Sequence, residues 1–230
     1  MGKNIISQAR GHGSLSYRVP KKAFRYKIGY PMKDGQAKII NIIHSPGHSA
    51  PLIKVSIGNE IFFNPAFNGA YVGQEINLGE KTDSGNILML KEIPMGMKVY
   101  NIEINPGDGG KMIRTAGSSA TTFKKHPNNK IAILMPNKKE IILSGYCRAT
   151  IGEIAGGGRI LKPFITAGRK FYKMKARNKL WPRTSAVKMN AIDHPFGSGR
   201  GKRIKPKIAK RNAPAGNRVG HIRPRRTGRR

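Results

Sequence analysis

Apolar residues along this chain come in short runs separated by turn-forming clusters. The runs are KIINII (38–43), LIKVSI (52–57), EIFF (60–63), NILMLKEI (86–93), KVYNIEI (98–104), KIAILM (130–135) and EIIL (140–143). Within KVYNIEI, Tyr100, Ile102 and Ile104 alternate with Val99, Asn101 and Glu103, the period-two pattern of a half-buried strand. The separators are Ser45-Pro46-Gly47, Gly58-Asn59, NPGDGG (105–110) and Pro136-Asn137. Strands this short at this spacing predict small closed barrels rather than a parallel α/β sheet. The rhythm breaks at KTDSG (81–85). It leaves a first unit over 29–82, a five-stranded barrel or small sandwich, and a second over 83–176, another small barrel with a helical tail. A helix is expected only around Arg169 to Lys179, with one short turn near Gly73.

Charge changes the picture at the two ends. The 230 residues carry 44 Lys and Arg against 11 Asp and Glu, a formal charge of +33. Residues 1–27 hold 7 basic and no acidic side chains, 28–167 hold 16 against 10, and 168–230 hold 21 against one. The body is ordinary and the ends are the polycation, which implies a polyanionic partner. Neither end has a core-forming composition, so both are expected to be extended, a basic extension at 1–28 and another at 177–230. Pro206, Pro214, Gly216, Gly220 and Pro224 break any helical stripe in the last segment. That argues against a membrane-surface helix and for nucleic acid. No apolar run approaches ~18 residues, so no membrane span is expected, nor a secretory leader in MGKNIISQARGHGS. The single Cys147 excludes an internal disulfide and reads as a packing residue in a reducing cytosol.

Candidate chemistry is sparse. His44 and His48 are four apart, but Ser45-Pro46-Gly47 between them precludes the helix that would bring them to one face, so no metal site is expected. Gly156-Gly157-Gly158-Arg159 and Gly109-Gly110-Lys111 match neither phosphate-loop pattern. Two readings of them stand: a tight backbone path needing φ > 0, or backbone approach to an RNA phosphate with Arg159 or Lys111 neutralising charge. Asp193-His194, in MNAIDHPFGSGRG (189–201), invites an acid–base reading. Neighbours in an extended chain point to opposite sides, however, and Pro195 favours extended backbone at His194. A polar pair holding a loop, or touching RNA, is the better reading.

The stretch from Arg169 to Arg183 holds 7 basic residues with Phe171, Tyr172 and Trp181 interleaved and no acid. Arg169, Lys170, Lys173, Lys175, Arg177 and Arg183 suit phosphate contact better than a merely solvated face. For Trp181, core packing is favoured over base stacking. The basic end adds Arg200, Arg218, Arg225 and Arg226.

NPGDGGK (105–111), RTAG (114–117), CRATIGEIAGGGR (147–159), KPFITAG (162–168), KMKARN (173–178), MNAIDHPFG (189–197) and RNAPAGNRVGHIRPRRTGRR (211–230) stand in order along nearly the whole chain. Together with the N-terminal GKNIISQARGHGS they resemble the universal large-subunit ribosomal protein L-two family. AGGGR and the RTGRR ending resemble its archaeal and eukaryotic branch, and NAIDHPFG favours archaea. The resemblance implies a mainly β protein: an OB-fold barrel, then an SH3-like barrel, with long basic N- and C-terminal extensions threading into rRNA. It implies a structural constituent of the large ribosomal subunit that binds large-subunit rRNA near the peptidyl-transferase centre. There it supports subunit association, tRNA placement and peptide-bond formation, while the catalyst is RNA and the protein is no enzyme. Implied partners are neighbouring ribosomal proteins and the small subunit at an intersubunit bridge, in a cytoplasmic ribosome, with no homo-oligomer. No cofactor is implied beyond structural Mg or K ions shared with rRNA. By matching motif, Arg114 and Arg148 are the expected RNA contacts at the barrel junction, and His194 matches the family histidine linked to peptidyl transfer, with Asp193 beside it. The chain departs from the family pattern at Ser45 and His48, at Glu60, at Thr184-Ser185-Ala186, and at Ser198 and Arg200.

Overall fold

The computed structural model describes residues 2–13, 15–18, 20–201, 208–209 and 212–222. The chain divides into two compact units, one of residues 21–178 and one of 1–20 with 179–230.

The larger unit is mainly β. Its strands are β1 Gly35–Ile43, β2 Leu52–Ile57, β3 Glu60–Pro65, β4 Glu75–Leu78, β5 Ile87–Met89, β6 Lys98–Tyr100, β7 Ala120–His126, β8 Lys130–Leu134, β9 Glu140–Ser144 and β10 Arg148–Ile151. They form one sheet in the order β3-β2-β1-β4-β5-β10-β6-β7-β8-β9. Strand β1 serves two partners: Gly35–Lys38 pairs with β4, and Lys38–Ile43 pairs with β2 across a bulge between Ile39 and Asn41. Such a bulge bends and twists a strand, which lets a short sheet curl. The parallel pair Leu78↔Ile87 carries the sheet into its second half, where β10 sits between β5 and β6. The arrangement is consistent with an OB-fold-like barrel followed by an SH3-like barrel.

Two apolar cores lie under this sheet. Ile39, Ile53, Val55, Phe62, Ile76 and Leu78 build the first, joined by Tyr100 and Ile154 from later in the chain. Leu88, Leu90, Ile93, Val99, Ile131, Ile133, Cys147 and Ile151 build the second, and Ile113 packs against both. Each fully buried Ile or Leu stabilises by roughly 1.5–3 kcal/mol relative to exposure.

All seven apolar runs contain strands, but two are cut short. NILMLKEI is strand only at Ile87–Met89, and KVYNIEI only at Lys98–Tyr100. The expected half-buried alternation fails there, since Val99 through Glu103 are all buried. Asn101 adopts φ 47°, which ends the strand and turns successive side chains inward. The short, polar sequences EINL, ATTFKKH and RATI form β4, β7 and β10 without an apolar run to announce them. The turn at Gly73 is present, with φ 91° and its N–H donating to Ile39 O at 2.8 Å.

A helix does follow the second core, α2 at Ala167–Ala176, two residues earlier at its start than the sequence suggests. Thr166 sets that start, its hydroxyl accepting from Arg169 N–H. The second unit contains an N-terminal helix, α1 at Ile6–His12, where an extended segment was expected. Gln8 Oε1 accepts the Ile5 N–H at 3.0 Å, Gly13 closes the other end at φ 70°, and Arg10 and His12 occupy the last turn. The same unit holds a parallel pair, β11 Ile208–Ala209 with β12 His221–Ile222.

Candidate nucleic-acid interface

The turn at Asn101 organises a polar cluster between the two cores of the larger unit. Asn64 Nδ2 donates to Thr150 Oγ1 at 2.9 Å, and Asn101 Nδ2 donates to Asn64 Oδ1 at 2.9 Å. Tyr30 Oη lies 2.6 Å from Asn101 O, to which it donates, and 2.7 Å from Thr150 Oγ1. Burial pushes the Tyr30 phenol well above its ordinary value, so it stays a neutral donor. Arg114 reaches into this cluster, donating from Nε to Asn101 Oδ1 at 2.8 Å and from Nη2 to Gly110 O.

Arg148 is held just as firmly. Its Nη1 donates to Pro31 O at 2.6 Å, its Nη2 faces Glu103 Oε1 at 3.3 Å, and its guanidinium lies 5.4 Å from the Tyr30 ring centre. Glu103, fully buried, also accepts from the N–H groups of Gly107, Gly109 and Arg148 at 3.2, 3.0 and 2.8 Å. The loop NPGDGG thus wraps a carboxylate. Gly109 and Gly110 sit at φ 79° and 81°, and a Cβ at Gly110 would lie 2.3 Å from Asn101 O. Gly156 has φ 80°, and a Cβ at Gly117 would lie 2.3 Å from the Gly157 Cα. Both glycine clusters therefore follow tight backbone paths.

Other cations of the larger unit lie at or near its surface. Arg159 is exposed on a 3-10 turn, Gly157–Ile160, and Arg169, Lys170, Lys173 and Lys175 are carried on α2, with Arg177 at its end. Burial together with Arg177 and Arg159 lowers the Lys173 ammonium from its ordinary value, so these cations crowd one another. Arg177 Nη2 donates to His48 O at 3.3 Å, while its Nε is buried without a hydrogen-bond partner among the described residues. Lys111 is exposed and faces Asp108 at 3.5 Å. A concentration of like charges of this kind lowers its self-repulsion by taking up an anion.

In the smaller unit, MNAIDHPFG folds on itself. The N–H groups of Asp193 and His194 both donate to Asn190 O, at 3.0 and 3.2 Å, and Ser198 N–H donates to Met189 O at 3.2 Å. Turns lie on either side of His194, at 191–193 and 195–196, and His194 O accepts from Gly197 N–H at 2.9 Å. Gly197 lets the turn close, since a Cβ there would lie 2.2 Å from Asn190 O. Asp193 and His194 have separate partners. The Asp193 carboxylate faces Lys3 Nζ at 3.8 Å, and His194 Nδ1 accepts from Phe196 N–H at 3.0 Å. Burial lowers the imidazole from its ordinary value, which keeps Nδ1 a neutral acceptor.

The remaining expected residues are scattered. Arg183 and Arg200 are exposed, and Arg218 is exposed with Nε donating to Ala213 O at 2.9 Å. Arg225 and Arg226 lie outside the described residues. Trp181 is half-buried, belongs to neither core and precedes a cis peptide to Pro182. Cys147 is buried in the second core, where burial pushes its thiol up to about 11. Ser45 is buried with Oγ 2.8 Å from His48 Nδ1, Glu60 faces Lys33 at 3.1 Å, Ser185 leads into a 3-10 turn, and Ser198 has φ 75°. Among the described residues no group of three or more His, Cys, Asp or Glu is placed to hold a metal ion, and no helix is long and apolar enough to cross a membrane. The residues that sequence reasoning missed are Tyr30, Asn64, Asn101, Glu103 and Thr150. Asn101 and Glu103 carried a signal, as polar residues inside an otherwise apolar run.

The family model described as Ribosomal Proteins L2, C-terminal domain matches residues 83–216. That is more than half of the chain. The chain belongs to the ribosomal protein L2 family. Membership extends over its full length. It is 44% identical over 243 residues to the large ribosomal subunit protein uL2 of Methanococcus maripaludis, covering all of both chains. It is 44% identical to the uL2 of Archaeoglobus fulgidus over 238 residues, covering 99% of each, and 42% identical to that of Korarchaeum cryptofilum over 239 residues, covering 100% of this chain and 96% of that one. This L2-family chain thus falls with the archaeal branch, and its family makes it a ribosomal protein.

Proposed function

We propose that this L2-family chain is a structural constituent of the large ribosomal subunit. It binds large-subunit rRNA near the peptidyl-transferase centre and supports subunit association, tRNA placement and peptide-bond formation without being an enzyme. The full-length similarity to archaeal proteins named large ribosomal subunit protein uL2 carries this reading. In it the chain resides in the cytoplasmic ribosome, as one copy beside other ribosomal proteins, with a small-subunit contact at an intersubunit bridge. Any Mg or K ions are shared with rRNA.

Geometry and charge divide the labour. Residues 29–82 and 83–176 form the two RNA-facing barrel domains, and 1–28 and 177–230 are the basic extensions. Arg159, Arg169, Lys170, Lys173, Lys175, Arg177 and Lys111 neutralise phosphates from the larger unit. Arg183, Arg200, Arg218, Arg225 and Arg226 do so from the extension. Arg114 and Arg148, whose guanidinium groups are engaged by Asn101, Gly110, Pro31 and Glu103, act by holding the junction in the shape RNA meets and offer RNA only their remaining N–H groups. His194 and Asp193 support the RNA catalyst as parts of a closed loop, since their separate partners leave no proton relay between them. Sedimentation tests the reading. The chain should remain with large subunits through a moderate-salt wash, and a chain found only in the unbound fraction would instead be a free RNA-binding protein.

A further inference from the structure

The two edges of the ten-stranded sheet are treated differently. At the β3 edge, Gly29 N–H donates to Phe63 O at 3.2 Å and Tyr100 Oη donates to Pro65 O at 3.1 Å, so two of the strand's outward carbonyls are covered. At the β9 edge nothing comparable is present among the described residues. Met135 N–H donates to Lys139 O and Gly145 N–H to Asn129 O, at 2.9 and 2.6 Å. These bonds set the phase of the ladder. The pairs Ile133↔Ile141 and Ile131↔Leu143 share its hydrogen bonds, whereas Glu140, Ile142 and Ser144 turn their backbone groups away from β8. Ser144 O is taken by Cys147 N–H at 3.1 Å, but both polar groups of Ile142 face outward.

Natural sheets blunt an open edge with a short strand, charged side chains such as Lys, Pro, a bulge or an inward charge. Strand β9, EIILS, has no Pro, and its register with β8 has no bulge. Its Ile142 side chain, on the face away from the second core, is 54% exposed. Beside it opens a groove of about 490 Å³ lined by His126, Pro127, Asn128, Lys130, Ile142, Leu143 and Ser144. Lys138 and Lys139 flank one end of the strand, Lys130 pairs with Ser144 at the other, and Lys124 and Lys125 stand two strands away on β7, all exposed. Glu140 is the only acid between 123 and 144.

We infer that the open edge of β9 binds an extended acidic segment of a neighbouring protein as an added strand. The alternating N–H and C=O groups match another extended peptide, whose main chain supplies both donors and acceptors at the same repeat. Lys130, Lys138 and Lys139 select acidic side chains, and Ile142 gives an aliphatic seat for one apolar residue. An RNA backbone would complement the lysines, and its 2′-hydroxyls the Ile142 carbonyl, but it offers no aliphatic group to the Ile142 side chain. The inference does not depend on the rRNA reading, because none of these residues belongs to the cationic group on α2.

Fluorescence anisotropy of the full chain with a labelled peptide of alternating Glu and Val, at roughly 150 mM salt, tests it. Ile142→Pro removes one outward N–H and spares every bond to β8, so binding should weaken by about five- to tenfold while the unfolding midpoint stays near the parent's. Lys138→Glu with Lys139→Glu should weaken it as well. On the unchanged protein, the same peptide N-methylated at alternate residues should bind weakly, a readout that survives if Ile142→Pro unfolds the chain. Equal binding of the methylated peptide, no binding of the plain one up to roughly 1 mM, or its displacement by an RNA duplex as readily as by unlabelled peptide, would overturn the proposal.

Discussion

Glu103 and Arg148 meet at 3.3 Å with side-chain exposures of 0% and 12%, an ion pair buried where the second core meets the loop NPGDGG. The carboxylate is acceptor to three backbone N–H groups as well, so its removal orphans several donors at once. Breaking such a pair from one side costs about 3–5 kcal/mol, because the surviving charge stays buried. Glu103→Gln should therefore lower the unfolding free energy in urea by about that much. A loss under roughly 1 kcal/mol would mean that water reaches the site and screens it.

Gly110→Ala should damage the same junction by another route. The new Cβ would lie 2.3 Å from Asn101 O at a φ of 81°, so either the loop or the Asn101 turn must move. Left-handed backbone alone costs roughly 1–2 kcal/mol for a residue with a Cβ. Thermal melting of the purified chain should show the shift, and Gly158→Ala, with open space around it, should show little.

Burial at Cys147 yields a pH-dependent signature. With the thiol pushed up to about 11, little thiolate exists at pH 8, and a disulfide reagent should label the native chain far more slowly than the denatured one. The native rate should keep rising with pH past the ordinary thiol value of about 8.5. A native rate equal to that in denaturant at pH 8 would place the thiol in solvent.

His194 should titrate below its ordinary value in an NMR experiment, because burial disfavours its charged form. Its folded-state value is depressed, so the unfolded chain binds the proton first. The stabilising contribution of the neutral ring is complete above about 6.5 and is lost as pH falls through that value towards the folded one. The Phe196 amide resonance should move with the same midpoint, since that N–H donates to the ring. Ribosomes carrying His194→Ala should show a disturbed local RNA structure or reduced activity. If they assemble and translate like the parent, the supporting role of His194 falls.

Charge removal on the larger unit gives the direct test of RNA binding by its exposed cations. Replacing Arg159 and Lys175 by Ala together should weaken binding to large-subunit rRNA fragments. It should also flatten the slope of log affinity against log salt by ~0.7–0.9 for each phosphate that is no longer neutralised. Arg148→Ala should instead reduce affinity together with stability, because that guanidinium is spent on Pro31 and Glu103.

Residues close together in the sequence were enough to establish that strands would form at the apolar runs and that a helix would follow them near Arg169. They also established that the polycation lies at the ends and that the motifs belong to one family. Each of these depends on local features: period-two patterning, turn residues, charge density and ordered short motifs. The sequence did not reveal that KVYNIEI stops being a strand at Tyr100. That break depends on Ile113, whose carbonyl accepts the Asn101 N–H, and on Tyr30, whose hydroxyl donates to Asn101 O; both reach Asn101 from elsewhere in the chain and satisfy the backbone groups that a continuing ladder would have used. Nor could the glycine clusters be read one way, because a missing Cβ matters only against the atom that comes to lie beside it. The fate of the arginines was likewise settled in three dimensions. A guanidinium looks the same in sequence whether it awaits a phosphate or clamps a junction, and only the carbonyl and carboxylate groups brought to Arg114 and Arg148 by the fold distinguish them from the exposed Arg159.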